Sequence, residues 1–226
     1  MRANTKRPRV LIKTAMSLNG KIGDLSTKRV ILSNKEDIAA VDALRAQYDA
    51  ILIGEATLKK DNPRLILKFP KNARERLKRG LTEHPVKVTL SKKCDIDTES
   101  NFLREGGGEK FVFTATQAPS KNVERIKKYA RVFCAGEKRV DIKKMLAILY
   151  THGVRKLMVE GGGRTNYEFL KAGVVDEMRV AVAPIIIELE DAPAFAYGDD
   201  FLPMLRFSLK SVERLESMVV LCYARK

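Results

Sequence analysis

The chain has no tryptophan, only two histidines and only three cysteines among its 226 residues, and each shortage removes a class of chemistry. His84 and His152 stand outside any His-x-Glu, Cys-x-x-Cys or His-Glu-x-x-His spacing, so a zinc hydrolase or deaminase would lack its ligands and no metal site is expected. Cys94, Cys134 and Cys222 are odd in number and far apart, the pattern of reduced, inert thiols in a cytoplasmic protein. No apolar run reaches the roughly eighteen residues of a membrane span, and the opening MRANTKRPRV lacks the apolar stretch and cleavage site of an export signal. There is also no Gly-x-x-x-x-Gly-Lys-Ser/Thr and no Gly-x-Ser-x-Gly, which counts against a P-loop and a hydrolase elbow.

What the chain has in excess is positive charge. Forty-three Lys and Arg against 28 Asp and Glu leave a net charge of +15. The basic residues fall in short runs: Arg2, Lys6, Arg7 and Arg9; Lys71, Arg74, Arg76, Lys78 and Arg79; Lys121, Arg125, Lys127 and Lys128. None is interleaved with aromatics or set in a zinc-finger or RNP-type pattern, so a nucleic-acid partner is not expected. Such runs are solvated faces, or they supply a field for a phosphorylated small molecule. With 45% hydrophobic residues, a chain of this length buries roughly 70% of its extended surface without staples.

Apolar patterning alternates strands with helices. Strands are expected at Val10 to Thr14, Val30 to Leu32, Ala50 to Ile53, Leu65 to Leu67, Val86 to Leu90, Phe111 to Thr114, Arg131 to Cys134 and Lys156 to Glu160. A helix capped by Ser33, with Glu36 completing the box, runs to about Ala46; others run from Lys121 to Tyr129, Ile142 to Tyr150 and Arg164 to Lys171. Phe69 to His84 reads as a surface excursion or an exposed helix. Past Asp176 the rhythm changes to three strands, Met178 to Ala183, Leu205 to Leu215 and Met218 to Ala224, an antiparallel finish. The fold class is α/β, a mainly parallel sheet covered on both faces, in one domain over residues 1–226.

Three local features carry chemistry. Glu160 followed by Gly161, Gly162 and Gly163, between a strand and a helix, suits a phosphate at a helix N-terminus or a tight strand-to-helix turn; Asn166 stands where a dinucleotide fingerprint wants its third glycine. Gly54-Glu-Ala-Thr57 and Asp61-Asn-Pro-Arg64 follow a buried strand, as a crevice loop or as a simple Asx-Pro turn. Lys13 sits in an apolar strand, either snorkelling from an edge or aiming its ammonium into a site.

In order along the chain, Ile12-Lys-Thr-Ala-Met-Ser-Leu-Asn-Gly-Lys-Ile22, Leu44-Arg through Asp49-Ala-Ile-Leu-Ile-Gly54, Thr57, Asp61-Asn-Pro-Arg-Leu65, Val159-Glu-Gly-Gly-Gly163 and Val175-Asp-Glu177 to Ala183-Pro184 resemble the riboflavin-biosynthesis pyrimidine reductases. The resemblance implies a dihydrofolate-reductase-like fold and NADPH-dependent reduction of a ribosylaminopyrimidine 5′-phosphate. Lacking deaminase motifs, the chain looks like the reductase that acts before deamination, on 2,5-diamino-6-ribosylamino-4(3H)-pyrimidinone 5′-phosphate. Opening of the ribosylamine gives an imine whose C1′ accepts hydride, so positioning and electrostatics supply the catalysis.

By that resemblance Lys13, Asp61, Asn62 and Arg64 line the substrate side, with Lys13 and Arg64 at the sugar or its phosphate. Gly54 and Thr57 border the nicotinamide, and Glu160 with Gly161, Gly162 and Gly163 holds the diphosphate and ribose. Ser91, Lys92 and Lys93 after a buried strand suit the 2′-phosphate of NADPH or form an exposed turn, and Thr114 to Thr116 and Gly136 are weaker candidates for the adenosine end. A homodimer is expected. Two departures stand out: Asn19 replaces the family's usual Asp, and Glu188-Leu189 replaces its Gly-Gly. A dihydrofolate or pterin reductase, and a basic nucleic-acid-binding protein, are the alternatives.

Overall fold

The structure is a computed structural model that describes residues 6–26, 30–200 and 204–226; Arg2 of the first basic run lies outside them. Nine strands form one sheet: β1 (Arg9–Met16), β2 (Ala50–Gly54), β3 (Val86–Leu90), β4 (Lys110–Thr114), β5 (Arg131–Cys134), β6 (Lys156–Val159), β7 (Glu177–Val182), β8 (Phe207–Leu215) and β9 (Met218–Arg225). Their order across the sheet is β5-β4-β3-β2-β6-β1-β7-β9-β8. Every pairing from β5 to β7 is parallel, whereas β9 runs antiparallel between β7 and β8. The expected mainly parallel sheet with an antiparallel C-terminal pair is therefore present.

Both faces are covered, which is why the central strands read as unbroken apolar runs rather than alternations. On one face Val10, Ile12, Leu52, Leu157 and Val159 pack against Met145, Leu146 and Leu149 of α6 (Ile142–Thr151) and Phe169 and Leu170 of α7 (Gly163–Lys171). On the other, Ile51, Ile53 and Val112 meet Leu58 of α2 (Glu55–Asp61), Phe102 and Leu103 of α4 (Asn101–Arg104) and Ile126 of α5 (Ser120–Lys127). Helix α1 (Lys35–Arg45) lies on this second face, its Leu44 packed against the cluster of Leu11, Tyr48 and Met158.

Several local expectations need correction. Val30 to Leu32 forms no strand: β1 and β9 already occupy both edges of β7, and Leu32 instead plugs a small core with Ala181 and Val220. Leu65 to Leu67 forms none either. Leu65 takes φ +52°, and the next backbone donors go to side chains, Leu67 N to His84 Nδ1 and Lys68 N to Asp42 Oδ1. The cap of α1 is Asn34, not Ser33; its Oδ1 accepts from Asp37 N at 2.9 Å. The segment after Gly54 is not a loop but α2, which ends at Asn62 in the left-handed region, where Pro63 bars the chain from continuing the helix. Phe69 to His84 contains α3 (Pro70–Lys78), whose Arg76 is buried because it donates to the carbonyls of Ala46, Tyr48 and Thr82.

Candidate active site

All seven parallel strands end at one edge of the sheet, and the loops that leave that edge form the crevice of an open α/β sheet. At this edge stand Gly54 at the end of β2, Ser91, Lys92 and Lys93 after β3, Thr114 at the end of β4, and Glu160 to Gly163 after β6. Lys13 lies one strand-turn deeper, in β1. Two surface cavities, of about 280 and 690 Å³, lie at the opposite edge, around Phe207, Arg225 and Arg7, and bring none of these residues together.

Since β1 is flanked by β6 and β7, Lys13 is not on an edge strand, and the snorkelling reading falls. Its side chain is only 13% exposed and lies beneath α1, 3.9 Å from Asp37 Oδ2. Burial lowers its pKa; Glu160 and Asp37 oppose that, while Arg45 and Arg179 add to it. Asp37 is fully buried and accepts from Arg179 Nη1 at 2.7 Å. Burial alone would raise its pKa, but Lys13, Ser33 and Arg179 together hold it below the usual value. Two turns along α1, Arg45 grips Glu160 with both arms, Nε to Oε1 and Nη2 to Oε2 at 2.6 Å each. Burial works against the Arg45 charge and the Glu160 carboxylate more than offsets it, so its pKa is raised.

The glycine turn serves close packing. Gly161 takes φ +84°, and Gly162 N donates to Thr57 Oγ1 at 3.0 Å, which joins α2 to the start of α7. A Cβ on Gly54 would fall 2.0 Å from Thr165 Oγ1, and one on Gly163 2.3 Å from the Ala194 carbonyl. Asn166 is buried; its Nδ2 donates to Phe195 O, whereas its Oδ1 has no hydrogen-bond partner among the described residues.

Beyond β3, the Ser91 hydroxyl is buried and likewise without a partner, beside the exposed Lys92 and Lys93. Thr114 Oγ1 donates to Lys92 O and Asn122 Nδ2 to Lys93 O, so this basic turn is held in shape from both sides. These orphaned polar atoms, at the glycine turn and at the basic turn, fit a long ligand with a phosphate-bearing end lying along the carboxyl edge. Asp61 is half-buried at the end of α2, and Asn62 and Arg64 are exposed beyond it. The Asn62 carboxamide oxygen and carbonyl accept from the Asn101 backbone and side chain, so Asn62 also anchors α4.

Two loops that leave this edge, after β1 and after β7, are fastened to each other. Asn19 donates Nδ2 to Ile187 O at 2.9 Å and accepts from Ile187 N at 3.2 Å, and Lys21 Nζ donates to Glu190 O and Ala192 O. The two departures noted in the sequence are thus in one structure: Asn19 fastens the segment that leads into Glu188 and Leu189. Sequence reasoning missed Asp37, Arg45 and Arg179. The available signal was electrostatic, because a buried strand lysine at 13 and a strand arginine at 179 both require a counter-ion.

Residues 8–221 match the family described as the RibD C-terminal domain. The chain is 36% identical over 209 residues to the 2,5-diamino-6-ribosylamino-4(3H)-pyrimidinone 5′-phosphate reductase of Archaeoglobus fulgidus, covering 92% of this chain and 94% of that one. It is 32% identical over 223 residues to the protein of the same name from Methanothermobacter thermautotrophicus, covering 97% and 99%. A pyrimidine reductase-like protein from Corynebacterium diphtheriae shares the fold with a TM-score of 0.82 at 22% identity, covering 97% and 92%.

Proposed function

The chain belongs to the RibD C-terminal domain family, and on that premise we propose that it reduces 2,5-diamino-6-ribosylamino-4(3H)-pyrimidinone 5′-phosphate to its ribitylamino product in riboflavin biosynthesis, with NADPH as reductant. The observation that carries the reading is the near full-length match to reductases named for that substrate, 94% and 99% of their chains. When bound, the nicotinamide supplies the hydride that reduces the opened ribosylamine at C1′.

The protein's own residues bind, orient and balance charge. Lys13 presents an ammonium to the sugar or its phosphate, and Asp61, Asn62 and Arg64, at and beyond the end of α2, serve the same substrate. Glu160, immobilised by Arg45, holds the ribose and diphosphate region of the cofactor with Gly161 to Gly163, and its fixed carboxylate is close enough to act on the Lys13 charge. A buried carboxylate and ammonium within Coulombic reach of each other stabilise charge that develops as the sugar ring opens, without having to reorganise. Gly54 and Thr57 border the nicotinamide, Gly161 to Gly163 the diphosphate, and Ser91 with Lys92 and Thr114 the adenosine end. The cations at that end favour the 2′-phosphate of NADPH over NADH.

We also propose that the 226 residues act as one domain, in the cytoplasm, and as a homodimer through the outer strand β8, where Leu209 and Val212 are 52% and 59% exposed. No helix of the described residues is long and apolar enough to cross a membrane. The test of the activity is the purified protein with NADPH and the pyrimidine phosphate, product identified by mass. Cofactor oxidation with formation of the ribitylamine supports it; a folded protein that binds NADPH but leaves the pyrimidine unchanged refutes the substrate. Turnover of dihydrofolate instead would move the activity to a pterin reductase.

A further inference from the structure

Two charged groups at the interface of α1 with the sheet, Asp37 and Arg179, have no part in the chemistry above, yet each is more than nine-tenths buried. Strand register explains why they are needed near Lys13. In the β1–β7 pairing Lys13 lies directly opposite Arg179, which sets two cations side by side on one face of the sheet. Directly opposed like charges repel, the more so where water is excluded. The carboxylate between them comes from α1: Asp37 Oδ1 accepts from Arg179 Nη1 at 2.7 Å, and Oδ2 stands 3.9 Å from the Lys13 ammonium.

The pair is not closed in the way a purely structural buried ion pair closes. Asp37 Oδ2 and Arg179 Nη2 are both buried without a hydrogen-bond partner among the described residues. A half-satisfied buried pair is costly and calls for an explanation in its surroundings. Here one oxygen accepts from arginine and the other stands toward a lysine it attracts without binding directly, with the Ser33 hydroxyl also favouring the charged carboxylate. The lysine is thereby localised while its ammonium hydrogens stay available to a ligand.

We propose that Asp37, braced by Arg179, is the positioning residue of Lys13 and fixes where its ammonium stands in the reductase site. The inference rests on the reading of Lys13 as a substrate-facing group. It makes α1 the common scaffold of the site, since Asp37 near its start serves Lys13 and Arg45 at its end holds Glu160.

The groups that face Lys13 are Asp37 and Arg45 from α1, Arg179 from β7 and Glu160 beyond β6. Two substitutions therefore act in opposite directions. Asp37→Asn removes an attraction and should move the Lys13 titration down by about one pH unit or more; Arg179→Met removes a repulsion and frees Asp37 for the lysine, so it should move the titration up by about as much. Arg179→Lys keeps the charge and should hold it near the wild-type midpoint.

The readout is the pH dependence of reductive methylation of Lys13, followed by mass spectrometry on the folded full chain without substrate. In parallel, Asp37→Asn should raise KM for the pyrimidine roughly tenfold while NADPH affinity stays unchanged. Opposite shifts in the two variants establish the proposal, because a merely structural role would move neither midpoint or both alike. An unchanged Lys13 midpoint in folded Asp37→Asn overturns it; should that variant not fold, absence of the upward shift in Arg179→Met does so. Since the titration needs no turnover, failure of the substrate assignment and failure of this inference remain separate results.

Discussion

Lys13→Ala should lower kcat/KM for the pyrimidine about 10- to 100-fold, the loss expected for one charge-assisted contact, with NADPH affinity nearly unchanged. Steady-state kinetics with a cofactor titration separates this from a packing role, in which both ligands and the melting temperature would suffer together. A second buried lysine gives a different signal. Lys87 in β3 is 1% exposed and donates to Glu105 O at 2.7 Å, and burial, aided by Lys110, lowers its pKa to about 8 from 10.5. Below about pH 8 it is charged in both folded and unfolded states, and its burial penalty is fully present. Between about pH 8 and 10.5 the folded protein binds fewer protons than the unfolded chain, so stability rises with pH across that window by about 3 kcal/mol. Denaturant titrations at several pH values should show this rise in the wild type and not in Lys87→Met. The thiols need no such test of reactivity at Cys94, where burial pushes the pKa up to about 11. At this scale the sequence made Lys13 visible as an anomaly within an apolar run, whereas its partner Asp37 looked like an ordinary first-turn acid of α1, because only the sheet register shows what faces it.

Among the elements, the turn from β6 into α7 is held by contacts that only glycine permits. Gly54→Ala would press its methyl into Thr165 Oγ1 and should destabilise the fold by about 1–3 kcal/mol. Removing that oxygen in Gly54→Ala with Thr165→Ala should recover part of the loss, and a double-mutant cycle by chemical denaturation reads the coupling directly. The clasp between the loops after β1 and β7 makes a second prediction. Asn19→Asp cannot donate to Ile187 O, so amide hydrogen exchange over residues 185–190 should quicken while that of β1 stays unchanged. Strands β3, β5 and β9 were legible because a buried strand is a short apolar run between breakers. Leu65 to Leu67 carries the same pattern and is no strand, since its backbone is claimed by the side chains of His84 and Asp42, which are distant in sequence. Helix α4 escaped notice because a four-residue element shows no periodicity.

For the molecule as a whole, the proposed reaction gives part of the net charge of +15 a use, in the basic turn after β3 for one phosphorylated ligand and in Lys13 and Arg64 for the other. If it served a polynucleotide instead, affinity for duplex DNA would fall with a log-log salt slope of about −0.9 for each phosphate neutralised; the expected outcome is no measurable binding at physiological salt. Val212→Lys in the exposed strand β8 should convert a dimer to a monomer in light scattering without altering NADPH affinity. The order of motifs made the fold and reaction class readable, while the charge network under α1 was not, because it depends on which strands become neighbours across the sheet. Transfer of a hydride to C1′ of an opened ribosylamine can be followed with NADPH deuterated at the nicotinamide C4 and the 2,5-diamino pyrimidine phosphate. The ribitylamino product should carry a single deuterium at C1′; NADPH left unoxidised by a folded, cofactor-binding protein, or a product without deuterium at C1′ from either face of the nicotinamide, rules the reaction out.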